Sequence, residues 1–88
     1  MNGPSWSVEL TPRARRDVRN LDQPVRQRVR EALERLANDP WEGQLVRLQG
    51  SEDLRLRVGD WRVRLRLDRD RHAIVVLRVL PRGRAYRD

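Results

Sequence analysis

Arginine stands at alternate positions through residues 54–67, LRLRVGDWRVRLRL, and these arginines are the side chains of that stretch most able to do chemistry. Arg55, Arg57, Arg62, Arg64 and Arg66 carry planar, permanently charged forks that match phosphate oxygens. Arginine stays protonated, so it is a poor base. It can bind a polyanion and stabilise charge developing on a phosphate. Its natural complement is Tyr86, the one tyrosine of the chain, close in sequence to Arg82, Arg84 and Arg87. A phenol among guanidinium groups should have a lowered pKa, and its hydroxyl can then accept the proton of a ribose 2′-hydroxyl. Two other roles stay open for this residue: its ring can stack on a base, or it can pack on a sheet edge.

Other chemistries are narrowed by what the chain lacks. It has no Cys and one His, so neither a metal ligand set nor a two-histidine ribonuclease mechanism is expected. His72 lies in the charged stretch DRDRH and reads as a solvated loop residue. Asp68 and Asp70 have the spacing of oxygen ligands, but Arg69 and Arg71 neutralise them. No Gly-rich phosphate loop and no Ser/His/Asp set occurs. No metal and no cofactor is therefore expected. Twenty basic residues, all Arg, against thirteen acids give a net charge of +7, which points to nucleic acid or another acidic partner. The start, MNGPSW, has no signal-peptide pattern, and the longest apolar run, residues 73–77, is too short to span a bilayer. The basic residues do not lie on a large amphipathic helix. The expectation is a cytoplasmic protein with no membrane partner.

Eighty-eight residues make one small domain, residues 1–88, with a modest core. Alternation over residues 54–67, broken at Gly59-Asp60, predicts a hairpin with a two-residue turn. Val58 then pairs with Trp61, Arg57 with Arg62, and Arg55 with Arg64. Leu54, Leu56, Val58, Trp61, Val63, Leu65 and Leu67 take the opposite face. Like charges directly opposite repel, and the one acid near them is Asp53, opposite Arg66. A solvated basic face is the plain alternative; a phosphate site explains the one-sign pattern better.

Upstream, residues 5–10 alternate as a first strand with Trp6, Val8 and Leu10 on one face. Thr11-Pro12 has the form of a helix start, followed by the stripe Ala14, Val18, Leu21. Asp22 is placed to cap a second helix, with the stripe Val25, Val29, Ala32, Leu33, Leu36, ending at Asn38-Asp39-Pro40. Residues 41–50 read as a loop, with a short extended piece at residues 45–48. Residues 73–79 make the last strand. If Leu67 pairs with Ala73 across a five-residue turn, Arg62 faces Arg78. Val75, Leu77 and Val79 then join the core, with Ile74 and Val76 on the arginine side; a four-residue turn reverses those faces. The predicted fold is α+β, in the order β-α-α-β-β-β. A helical hairpin covers one face of a small, largely antiparallel sheet, and arginines line the other.

The run Leu54-Arg55-Leu56-Arg57-Val58-Gly59-Asp60-Trp61-Arg62-Val63, followed by Val79-Leu80-Pro81-Arg82 and Tyr86-Arg87, resembles the RelE/ParE toxin superfamily. Leu48, Gly50, Leu21-Asp22 and Asp39-Pro40 extend that resemblance over nearly the whole chain. It implies a toxin of a type II toxin–antitoxin pair, with the RelE-like branch favoured. The resemblance further implies a metal-independent endoribonuclease that cleaves mRNA in the ribosomal A site. Carried over by position, the catalytic residues are Arg55, Arg57, Arg62, Arg82 and Tyr86. Arg64, Arg66, Arg78 and Arg84 are added as RNA-binding residues. The implied partners are a cognate antitoxin, mRNA and the ribosome, with DNA met only indirectly through the antitoxin complex. The chain departs from the pattern at Arg55 and Arg57, where active members often carry Lys. It departs again at Leu80-Pro81, where Gly-His is usual. Those departures leave Tyr86 as the base candidate. A ParE-like gyrase inhibitor and a non-catalytic RNA-binding member are the competing readings.

Overall fold

The computed structural model describes residues 6–40 and 45–82. The chain runs β1 (Ser7–Leu10), α1 (Pro12–Arg19), α2 (Gln23–Asn38), β2 (Leu45–Arg47), β3 (Leu54–Val58), β4 (Trp61–Asp68) and β5 (Ala73–Pro81). The strands form one five-stranded sheet in the order β1-β5-β4-β3-β2. β1 is parallel to β5, and the other pairs are antiparallel. The fold is α+β, with the two helices packed on a mixed, mostly antiparallel sheet. The short extended piece expected after α2 is a true edge strand, β2, paired with β3. Among the described residues no helix is long and apolar enough to cross a membrane.

The hairpin register is the one the alternation requires: Val58 pairs with Trp61, Arg57 with Arg62, and Arg55 with Arg64. Gly59 takes φ +59°, as the first position of a Gly-X hairpin turn demands. Gly59→Val forces a β-branched residue into that region. It is expected to cost about 1–2 kcal/mol, seen as a lower urea midpoint at unchanged m-value.

α1 starts as its sequence predicts, with Thr11 Oγ1 accepting from Ala14 N at 3.1 Å and Pro12 in the first turn. Asp22 occupies the N-cap position of α2 in extended conformation, yet its side chain makes no capping hydrogen bond. The junction is held from the other side. Arg26 donates to the Val18 carbonyl in the last turn of α1, at 3.3 Å, and to the Leu21 carbonyl just beyond it, at 2.9 Å.

The core forms between Ala14 of α1, the α2 stripe Val29, Ala32, Leu33, Leu36 and Ala37, and the sheet residues Leu56, Val63, Leu65, Ile74, Val76 and Val79. Val8, Leu10, Leu54, Val58, Trp61 and Leu67 are partly buried against it.

The β4–β5 register differs from the five-residue-turn expectation. Asp68 pairs with Ala73 and Leu67 with Ile74, so the turn has four residues. The Asp68 carboxylate accepts from Arg71 N at 3.2 Å, and His72 takes φ 51°. Ile74 and Val76 therefore enter the core, fully buried. That register alone would carry Arg78 inward. A β-bulge between Arg64 and Leu65 corrects it: Leu65 pairs with Val76, Arg64 with Arg78, and Leu77 is the extra residue. The bulge switches parity, so Val79 is buried and Arg78 faces outward. Arg78 thus stands opposite Arg64, and Leu80 stands opposite Arg62.

Candidate functional site

The outer face of the sheet carries the arginine row, but the row divides into two unlike halves. At the end far from the hairpin turn, Asp53 is 5% exposed and holds two arginines. Arg64 Nη2 donates to its Oδ2 at 2.8 Å, and Arg66 Nε to its Oδ1 at 2.6 Å. Burial pushes the Asp53 carboxyl up. The hydrogen bonds from Arg66 and Arg64, and their charges, outweigh that and hold it below its ordinary value of 3.8. Arg78 is held in the same manner from α1, with Nε and Nη2 donating to Asp17 at 2.8 and 3.3 Å.

Asp17 also accepts from Val79 N at 2.9 Å. β1 ends opposite Val76, so α1 replaces it along the remaining edge of β5. Thr11 N donates to the Val76 carbonyl and Thr11 Oγ1 to the Leu77 carbonyl. Burial again raises the Asp17 carboxyl, and the Arg78 and Val79 hydrogen bonds with the Arg78 and Arg13 charges lower it further, to a net decrease.

At the hairpin end the arginines have different neighbours. Arg57 is exposed and faces Arg62 directly. Arg62 is 5% exposed, and its Nη1 donates to the Gly59 and Trp61 carbonyls at 2.9 Å each. Arg82 is exposed, and its backbone N–H donates to the Asp60 carbonyl at 2.8 Å, which ties the end of β5 to the turn. Arg28 of α2 reaches the same place, with Nη1 4.0 Å from where a Cβ on Gly59 would stand. Among the described residues no carboxylate pairs with Arg57, Arg62 or Arg82. Positive charge is therefore concentrated here, in a form suited to an anionic oxygen.

The structure thus brings Arg57, Arg62 and Arg82 together, with Arg55 beside Arg64 on the same face. It holds Arg64, Arg66 and Arg78 in ion pairs. Tyr86 and Arg84 lie outside the described residues. Sequence reasoning placed Asp53 opposite Arg66 and missed its bond to Arg64. It also missed Asp17, whose signal was present: it is the one acid of α1, set beside Val18 of the apolar stripe.

Two helices packed on a five-stranded, mostly antiparallel sheet make a fold like that of solved RelE toxin structures. The family model described as "ParE toxin of type II toxin-antitoxin system, parDE" matches residues 8–86. The chain belongs to that family of type II toxin–antitoxin toxins. Among solved structures, the RelBE2 toxin–antitoxin complex of Mycobacterium tuberculosis is 31% identical, with 90% of this chain and 99% of that one covered at a TM-score of 0.75. The archaeal RelE–RelB complex of Pyrococcus horikoshii is 23% identical, with 91% and 98% covered at a TM-score of 0.77. The isolated Escherichia coli RelE toxin is 16% identical, with 89% and 85% covered at 0.78; at these two identities the likeness is one of fold. No curated protein matches the chain.

Proposed function

We propose that the chain is a ribosome-dependent mRNA endoribonuclease, kept inactive by a cognate antitoxin. The observation that carries this reading is the cluster of Arg57, Arg62 and Arg82 at the hairpin end, with Arg62 buried and aimed by two backbone carbonyls. A buried, oriented guanidinium loses little freedom when a phosphate arrives, and such preorganised charge stabilises a transition state best. In this reading Arg57 and Arg82 bind the scissile phosphate, Arg62 stabilises its developing charge, and Arg55 extends the contact. Tyr86 takes the 2′-hydroxyl proton. Arg64, Arg66, Arg78 and Arg84 contribute RNA-binding charge. The product is a cyclic phosphate end, formed without a metal. The likeness to RelE–RelB complexes supports an antitoxin partner.

A second reading has its own support. The matching family is described as ParE, and ParE-like members of the superfamily poison DNA gyrase. The deciding experiment is induction of the protein, with mRNA ends mapped and gyrase supercoiling assayed in parallel. New mRNA ends at ribosomal A sites, with supercoiling intact, support the nuclease; the opposite pair of results replaces it with a gyrase inhibitor.

Binding should also be salt-dependent. With about three to five phosphates contacted, log K for single-stranded RNA should fall with log salt at roughly 0.7 per contact. An affinity unchanged between low and physiological salt removes the phosphate contacts from the account.

A further inference from the structure

The four-residue β4–β5 turn sends Ile74 and Val76 inward and leaves Val75 and Leu77 on the outer, basic face. Val75 and Leu77 are half-buried and stand apart from the core cluster. Val75 pairs with Arg66. Leu77 lies on the floor shared by two open depressions of the arginine face. One has a volume of ≈ 640 Å³ and is walled by Pro12 and Arg13 from the start of α1 and by Asp53, Arg64 and Arg78 from the sheet side. Two of those guanidinium groups are fixed before any ligand arrives, Arg64 by Asp53 and Arg78 by Asp17. An apolar side chain between immobilised guanidinium groups suits an unstacked nucleobase, which stacks on arginine planes and packs against apolar side chains.

We propose that this depression is a nucleobase slot, which seats one base of a single-stranded RNA whose backbone lies on the hairpin-end arginines. The inference rests on the reading of this face as an RNA site and adds to it a base-contacting subsite built by Leu77 and Pro12. Three arginines, Arg13, Arg64 and Arg78, line the slot against one carboxylate, Asp53, and this positive balance favours a nucleotide over an acid-free apolar peptide.

The test uses the full chain and a short single-stranded RNA, no longer than the face it covers, so that it cannot slide. One abasic sugar is walked along it. Loss of the seated base should weaken binding about 5-fold at one position, the low end for a base stack because no aromatic side chain lines the slot. In Leu77→Ala that difference should shrink toward unity while the salt slope is kept. A 4-thiouridine at the sensitive position should cross-link the intact protein to the segment containing Leu77, which decides the matter if the variant does not fold. Equal affinity for every abasic RNA, with no such cross-link, overturns the slot. So does a Leu77→Ala effect seen only in antitoxin binding, which assigns the depression to a protein side chain. Cleavage with no base effect overturns the slot and leaves the nuclease reading intact. A base effect without cleavage does the reverse.

Discussion

Tyr86→Phe is expected to lower single-turnover cleavage of ribosome-bound mRNA by about 10²–10⁴-fold while ribosome binding is kept. The change removes a hydroxyl and preserves ring, volume and stacking. The chain has one His, in the β4–β5 turn, and no Lys at all. Arginine holds its proton at any accessible pH. Two carboxylates of the outer face are engaged, Asp53 by Arg64 and Arg66 and Asp17 by Arg78. In the proposed mechanism the phenol accepts the 2′-hydroxyl proton. Arg62→Ala and Arg82→Ala should each cost on the order of 2.7–4 kcal/mol in the transition state, as loss of other oxyanion donors does. Should Tyr86→Phe cleave at the wild-type rate while Tyr86→Ala fails, the ring stacks and the hydroxyl is not the base. Equal rates for wild type, Tyr86→Phe and Arg82→Ala remove catalysis altogether and leave a binding protein.

Much of the fold could be read directly from period and punctuation. The central hairpin was legible because two period-2 runs around Gly59-Asp60 admit one pairing that keeps seven apolar residues together. The start of α1 was legible because Thr11-Pro12 is both a cap and a stop for β1. β5 was harder to read. Residues 73–81, AIVVLRVLP, offer apolar side chains to both faces, so either turn length yields a plausible core. The native chain takes the four-residue turn and then corrects its parity with Leu77, a local device that leaves no periodic trace. β2 has three residues, too few for any period. The site was half legible for a related reason. Alternation shows which arginines share a face, but not which of them a carboxylate has claimed. Asp17 lies 61 positions from Arg78, and only the tertiary fold brings α1 along the edge of β5.

Asp53→Asn is expected to destabilise the fold by about 3 kcal/mol at neutral pH, the low end of the range for breaking a buried ion pair. The low end applies because the two partners differ. The Arg64 side chain is 14% exposed and loses its counter-charge in a dry place. The Arg66 side chain is 55% exposed, and water replaces most of what it loses. For a domain of this size such a loss lowers the melting temperature by roughly 12–24 °C. It is a large part of an ordinary domain stability of about 5–15 kcal/mol. The effect carries a pH signature. The folded carboxyl lies below its ordinary value of 3.8, so the unfolded chain binds the proton first as pH falls. The stability it contributes is complete above about pH 5 and is lost as pH drops through the folded-state value. Asp17 is lowered too and acts in the same window, so wild type should lose stability there from both sites, and Asp53→Asn from one. Urea midpoints at pH 7 and pH 3 should therefore show a wide gap between wild type and variant that narrows on acidification. A variant with the wild-type midpoint at pH 7 shows that the buried carboxylate contributes nothing net. In that case the two arginines are held by packing, and the division of the face into a paired half and an open half loses its electrostatic basis.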